Sequence, residues 1–161
     1  MDHDVIRHAW DVLGSRTPML SDCGQLCGSA CCRPDEDGQG GVFLFPGERD
    51  LLKHCPWGQI REHPFAPILT CDAPCDRALR PMGCRIFPLT PARDRNGRWS
   101  VRMDIRARAM CPLTGSGLGG LDPAFVRAAR DALRVIAEYP DGEAFLEKWA
   151  ALETLYRQPL W

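Results

Sequence analysis

The sequence lacks any long uninterrupted apolar run. No stretch approaches the ~20 apolar residues that a membrane-spanning helix needs, so no transmembrane segment is expected. Met1 to Leu20 interposes Asp2, Asp4, Arg7, Asp11 and Arg16 among its apolar positions and so lacks the apolar region of a signal peptide. The expected compartment is therefore the cytoplasm. A dominant charge is missing too. With 20 basic and 21 acidic residues the formal net charge is −1, which gives no general attraction to nucleic acid or to an anionic membrane, and neither is expected as a partner. The five tryptophans are not interleaved with a basic run, so they read as core or interface groups instead of base-stacking platforms. Internal repeats and low-complexity tails are absent. No serine–histidine–aspartate order and no pair of carboxylates stands out for catalysis.

What the sequence has is cysteine. Nine cysteines in a compartment that keeps thiols reduced point to metal or redox sites ahead of a disulfide framework. Because nine is odd, at least one thiol is free, reactive or a ligand. The cysteines fall in three places: Cys23-x3-Cys27-x3-Cys31-Cys32, then Cys71-x3-Cys75 followed by Cys84, and finally Cys111. Cys55 stands apart and reads as a small buried hydrophobe. Zinc and iron–sulfur clusters need thiolates converging from a few directions, and closely spaced cysteines in a glycine-containing loop let the backbone bend around a metal. Gly24, Gly28 and Gly83 supply that freedom here.

The adjacent pair Cys31-Cys32 constrains the site further. In a helix Cys23, Cys27 and Cys31 share a face and Cys32 points elsewhere; in an extended chain Cys31 and Cys32 face opposite sides. One mononuclear ion does not readily take both. That leaves two metal centres or one centre with a spare thiol, and, without metal, redox chemistry. Arg80, Arg85, Arg106 and Arg108 are close enough in sequence to Cys84 and Cys111 to offset thiolate charge, with Asp104 available to orient one of them. The plainer alternative is arginines exposed on strand faces. Of His3, His8, His54 and His63, the pair His54 and Cys55 is the most suggestive, although scattered surface histidines explain all four.

At 161 residues with 45% apolar content, the chain fits one domain over residues 1–161. The expected class is α+β: a small, mostly antiparallel sheet with cysteine-rich loops, covered by a C-terminal helical hairpin and a short N-terminal helix. The spacing of Val5, Ala9, Trp10, Val12 and Leu13 predicts that first helix over Asp4 to Leu13, stopped near Gly14 and acting as a lid or strut. From Ser21 to Gly41 an irregular loop is expected. Val42 to Phe45 predicts a buried strand and Arg49 to His54 a short helix. Ile86 to Thr90 and Trp99 to Ile105 predict a hairpin around Asn96-Gly97. Gly115 to Gly120 reads as a flexible connection, without the strand–loop–helix context of a nucleotide or S-adenosylmethionine loop. Asp122-Pro123 opens one helix, which Pro140-Asp141-Gly142 ends before a second over Glu143 to Arg157.

The run Asp22-Cys23-Gly24-Gln25-Leu26-Cys27 through Ala30-Cys31-Cys32, then Leu44-Phe45-Pro46-Gly47-Glu48 and Arg80-Pro81-Met82-Gly83-Cys84-Arg85-Ile86-Phe87-Pro88-Leu89, resembles the CxxCxxCC-type cysteine-cluster family. That family is described as zinc- or iron-chelating. The resemblance spans about residues 21–113, with the hairpin, 121–157, outside it. It implies that Cys23, Cys27, Cys31, Cys32, Cys71, Cys75, Cys84 and Cys111 are the candidate ligands. The cysteine region of flagellin lysine methylases is similar and is associated with a [4Fe-4S] cluster, so an iron–sulfur cluster is the implied cofactor and zinc the alternative. Three functions follow as expectations: a cluster protein for electron transfer or redox sensing; a zinc-stapled module whose C-terminal helices meet a protein partner; and a cluster-dependent enzyme related to protein methylases. The chain is far shorter than the methylases, so their activity is not carried over.

Overall fold

Residues 1–32, 40–72 and 75–157 are described by a computed structural model. The class is α+β. The first helix, α1 (His3–Leu13), ends where Gly14 turns to φ 60° and donates its N–H to Trp10 O at 2.8 Å. Val5, Ile6, Ala9, Trp10 and Leu13 are buried, and the helix packs mainly on the later helix Pro123–Ala137. It is thus part of the core, not a lid.

The loop expected over Ser21 to Gly41 is more ordered than its composition suggests. It contains α2 (Cys23–Cys27) and a 3₁₀ turn, Ala30–Cys32, while residues 33–39 lie outside the described chain. The helix is short but capped at both ends. Asp22 Oδ1 accepts from Gly24 N at 3.1 Å, and Gly28 closes it in the left-handed conformation at φ 59°.

A three-stranded antiparallel sheet follows, ordered β1 (Val42–Phe43), β3 (Ile68–Cys71), β2 (Gly58–Arg61), with α3 (Glu48–Leu52) between the first two in sequence. In register, Val42 faces Leu69 and Gly58 faces Cys71. A Cβ at Gly58 would lie 2.7 Å from Thr70 O, so glycine permits the close approach of β2 to β3. These two strands carry little alternation and were not expected from the sequence.

The hairpin exists but is shifted. Ile86 closes a helix, α4 (Met82–Ile86), and the strands are β4 (Leu89–Arg93) and β5 (Trp99–Met103). Pro81 precedes α4 as its N-cap, and the helix takes up Ile86, the first residue of the strand predicted over Ile86 to Thr90. Pro91 sits inside β4 opposite Val101, tolerated because a two-stranded sheet consists only of edges. In the turn, Asp94 Oδ1 accepts from Asn96 N and Arg98 N, and Gly97 adopts φ 74°.

Residues Pro112–Gly120, which include the connection expected over Gly115 to Gly120, form 3₁₀ turns kinked at Gly117. Asp122 caps α5 (Pro123–Ala137) by accepting from Ala124 N at 2.9 Å. Pro140 then opens α6 (Pro140–Tyr156), so the Pro-Asp-Gly triplet begins the second helix instead of separating the pair. Helix α5 lies on β5 and α6 on β4, which makes the helical pair a cover for the hairpin. Phe45 joins the three-stranded sheet to α6 through Phe145 and Trp149, with ring centroids 4.8 and 5.2 Å away. Among the described residues no helix is long and apolar enough to cross a membrane.

Candidate metal centre

Two adjoining pockets, of about 460 and 410 Å³, lie where α2, the Ala30–Cys32 turn, the end of β3, α4 and the segment around Cys111 meet. Cys23, Cys27, Cys31, Cys32, Cys71, Cys75 and Cys111 line the first. Cys31, Cys32, Cys71, Cys75 and Cys84 line the second. Every cysteine singled out as a candidate ligand is thereby brought to one region. Cys55 lines neither pocket; expected as a small buried hydrophobe, it is half-buried against the apolar core, with its Sγ 3.7 Å from Gly58 O.

Local structure explains the convergence. Three intervening residues put Cys23 and Cys27 on successive turns of α2, with Cys27 Sγ 3.7 Å from Cys23 O. Cys71 ends β3 and Cys84 sits mid-way along α4. An ion pair ties the arms together: Arg77 Nη2 meets Asp22 Oδ1, the cap of α2, at 2.9 Å. From α4, Arg85 donates to the backbone carbonyls of Arg80, Ala78 and Arg77 at 2.6, 2.8 and 3.1 Å. The segment that carries Arg80 is thus held by the helix that carries Cys84.

Sequence reasoning missed Glu48. Its side chain is fully buried, where an unpartnered carboxylate is costly. It accepts from Trp10 Nε1 at 3.0 Å, Phe45 N at 2.8 Å and Met82 N at 2.5 Å. Burial pushes its pKa up to about 7, against the pull of these three hydrogen bonds and of Arg85. Glu48 therefore fixes the first residue of α4, two positions before Cys84. The available signal was its place in Leu44-Phe45-Pro46-Gly47-Glu48, a carboxylate three positions after an apolar run.

Burial, followed by neighbouring thiols, raises the pKa of Cys71 to about 11 and drives Cys84 well upward. Cys23 is also raised, by burial and then by Asp22, Cys27 and Cys111. The adjacent thiols of Cys31 and Cys32 act on one another, which raises the pKa of the first and lowers that of the second; Arg80 adds to the lowering. The thiols whose charge acts most on Arg80 are Cys75, then Cys84 and Cys32. The other arginines do different work: Arg106 pairs with Asp104 through contacts of 3.0 and 2.6 Å at the edge of the second pocket, and Arg108 is exposed. None of the histidines lines either pocket.

Among the described residues no three Cys, His, Asp or Glu side chains already stand as a closed metal-holding group. The donor set nevertheless fits zinc or an iron–sulfur cluster, because soft thiolates favour both. Crowded thiols that resist ionising beside one another are also relieved by a cation at their centre. No protein-family model, curated protein or solved structure matches the chain.

Proposed function

We propose that the protein holds an iron–sulfur cluster of the [4Fe-4S] kind, or zinc, through its clustered thiolates, and that it works in the cytoplasm in electron transfer or redox sensing. The observation that carries this reading is the convergence of cysteines from separate elements on the same two pockets. None of the nine cysteines is among the fully buried core residues, although Cys55, Cys71 and Cys75 are partly buried against them. The preference for a cluster over zinc rests on the resemblance to the CxxCxxCC-type family and to the methylase cysteine region. The present chain spaces its first cysteines by three residues, one more than that pattern. When bound, a cluster supplies a one-electron couple whose potential responds to nearby charge and hydrogen bonds. Arg80 is the residue placed to offset thiolate charge, and Arg85 and Glu48 position its neighbours.

Metal, sulfide and visible-absorption analysis of protein purified without oxygen tests the reading. Brown protein with iron and inorganic sulfide is the expected result. Colourless protein with stoichiometric zinc selects the zinc-stapled alternative, and metal-free protein with reduced thiols overturns both. The exposed, adjacent pair Cys31 and Cys32 favours one second reading, a metal-free redox dithiol. Capture by a dithiol-specific arsenical, together with absence of metal, would select it.

A further inference from the structure

The thiols sort into two groups by where they sit. Cys23, Cys27 and Cys111 line only the first pocket, and Cys84 lines only the second. Electrostatic neighbours divide along the same line. The dominant thiol neighbours of Cys84 are Cys32, Cys71 and Cys75, and those of Cys71 are Cys75 and Cys32, with peripheral Cys55 after them. The thiol neighbours of Cys23 are Cys27 and Cys111, and that of Cys111 is Cys27. The adjacent pair spans the line: the first thiol neighbour of Cys31 is Cys32, followed by Cys84 of the second pocket and Cys27 of the first.

We infer that the thiols form two four-thiolate centres, Cys23, Cys27, Cys31 and Cys111 holding one and Cys32, Cys71, Cys75 and Cys84 the other, a refinement that rests on the metal reading above. The second set is complete without Cys31, so Cys31 is the fourth ligand of the first. This division also gives the adjacent pair a purpose. Consecutive residues of a 3₁₀ turn project about 120° apart, so one ion does not easily take both Cys31 and Cys32, whereas two flanking centres each take one. Arg80 lies on the boundary. It lines both pockets, with Cys23 of one set and Cys32, Cys75 and Cys84 of the other among its charge partners. One guanidinium thus offsets the excess negative charge of both centres.

The test is metal content per chain in the full-length protein purified without oxygen, with far-UV circular dichroism to confirm folding. Wild-type protein is expected to carry two zinc ions or two clusters. The paired variant Cys23→Ala/Cys27→Ala should lose half of that content, and Cys71→Ala/Cys75→Ala the other half. Cys32→Ala/Cys84→Ala serves as an independent probe of the second set and should also halve the content. A wild type with one centre, or any one pair of substitutions that empties a folded protein, overturns the two-centre assignment while leaving the metal reading intact. Wild-type protein without metal overturns the metal reading and this assignment with it.

Discussion

Glu48 shows how a single residue serves a site it does not touch. Its carboxyl has a folded pKa of about 7 against an ordinary value of 4.5. Between those values the folded state keeps a proton that the unfolded chain has released. Stability from this group is therefore fully present below about pH 4.5 and is lost as pH rises through about 7, by about 3 kcal/mol at most. Urea unfolding near pH 5 and near pH 8 should show wild-type protein losing stability at the higher pH. Glu48→Gln should lack that part of the slope, because it has no proton to release. The variant should also be less stable by ~1–3 kcal/mol at low pH, since an amide nitrogen cannot accept from Phe45 N. Identical pH slopes in the two proteins would show that Glu48 does not titrate in this window.

At the scale of elements, the close seating of α4 on β1 depends on Gly83. A Cβ there would stand 2.5 Å from Val42 Cγ2, with Phe43 O and Trp149 Cη2 at 3.5 and 3.6 Å. Val42 is β-branched and yields poorly. Gly83→Ala should destabilise by ~1–2 kcal/mol, the overpacking cost less the gain in helix propensity, and should lower metal content because Cys84 is the next residue. Gly115→Ala, with nothing within 4 Å of the added carbon, is the control and should be near neutral. Equal midpoints in chemical denaturation for the two variants would refute this packing.

The elements legible in the sequence are those whose signals are local. The cap Asp122-Pro123, the periodicity of α5 and α1, and the Asn96-Gly97 turn each sit within a few residues of what they specify. Strands β2 and β3 were not legible, because Gly58–Arg61 gains its place by pairing with a strand that its own residues do not announce. Likewise α2 hid in a polar, glycine-rich stretch and is revealed by its two caps, not by an apolar face. The candidate ligands could be grouped by spacing and resemblance, but their sorting between pockets depends on how α4 and the Cys111 segment pack, which spacing does not encode.

Over the whole molecule, the apolar core and the thiol region are unequally supported. Helices α5 and α6 bury apolar faces against the hairpin and α1 against α5, whereas α2 and the Ala30–Cys32 turn bury none of their residues. Leu20 and Leu26 are 96% and 56% exposed. Apart from hydrogen bonds and the Asp22–Arg77 ion pair, which is exposed and worth at most about 1 kcal/mol, little in the chain itself holds this arm in place. On the proposed metal reading, ligation is the main force ordering it, because metal that binds only the folded arm stabilises that state by mass action. Removing metal with a chelator under anaerobic conditions should therefore leave most of the helical circular dichroism intact, since α1, α5 and α6 do not depend on the thiols. Limited proteolysis should change sharply and locally, with new cleavage between Leu20 and Cys32 in stripped protein and protection restored when metal is returned. Equal cleavage rates in that arm with and without metal would mean that the arm is ordered by the chain alone, and the thiol region would then need a different physical account.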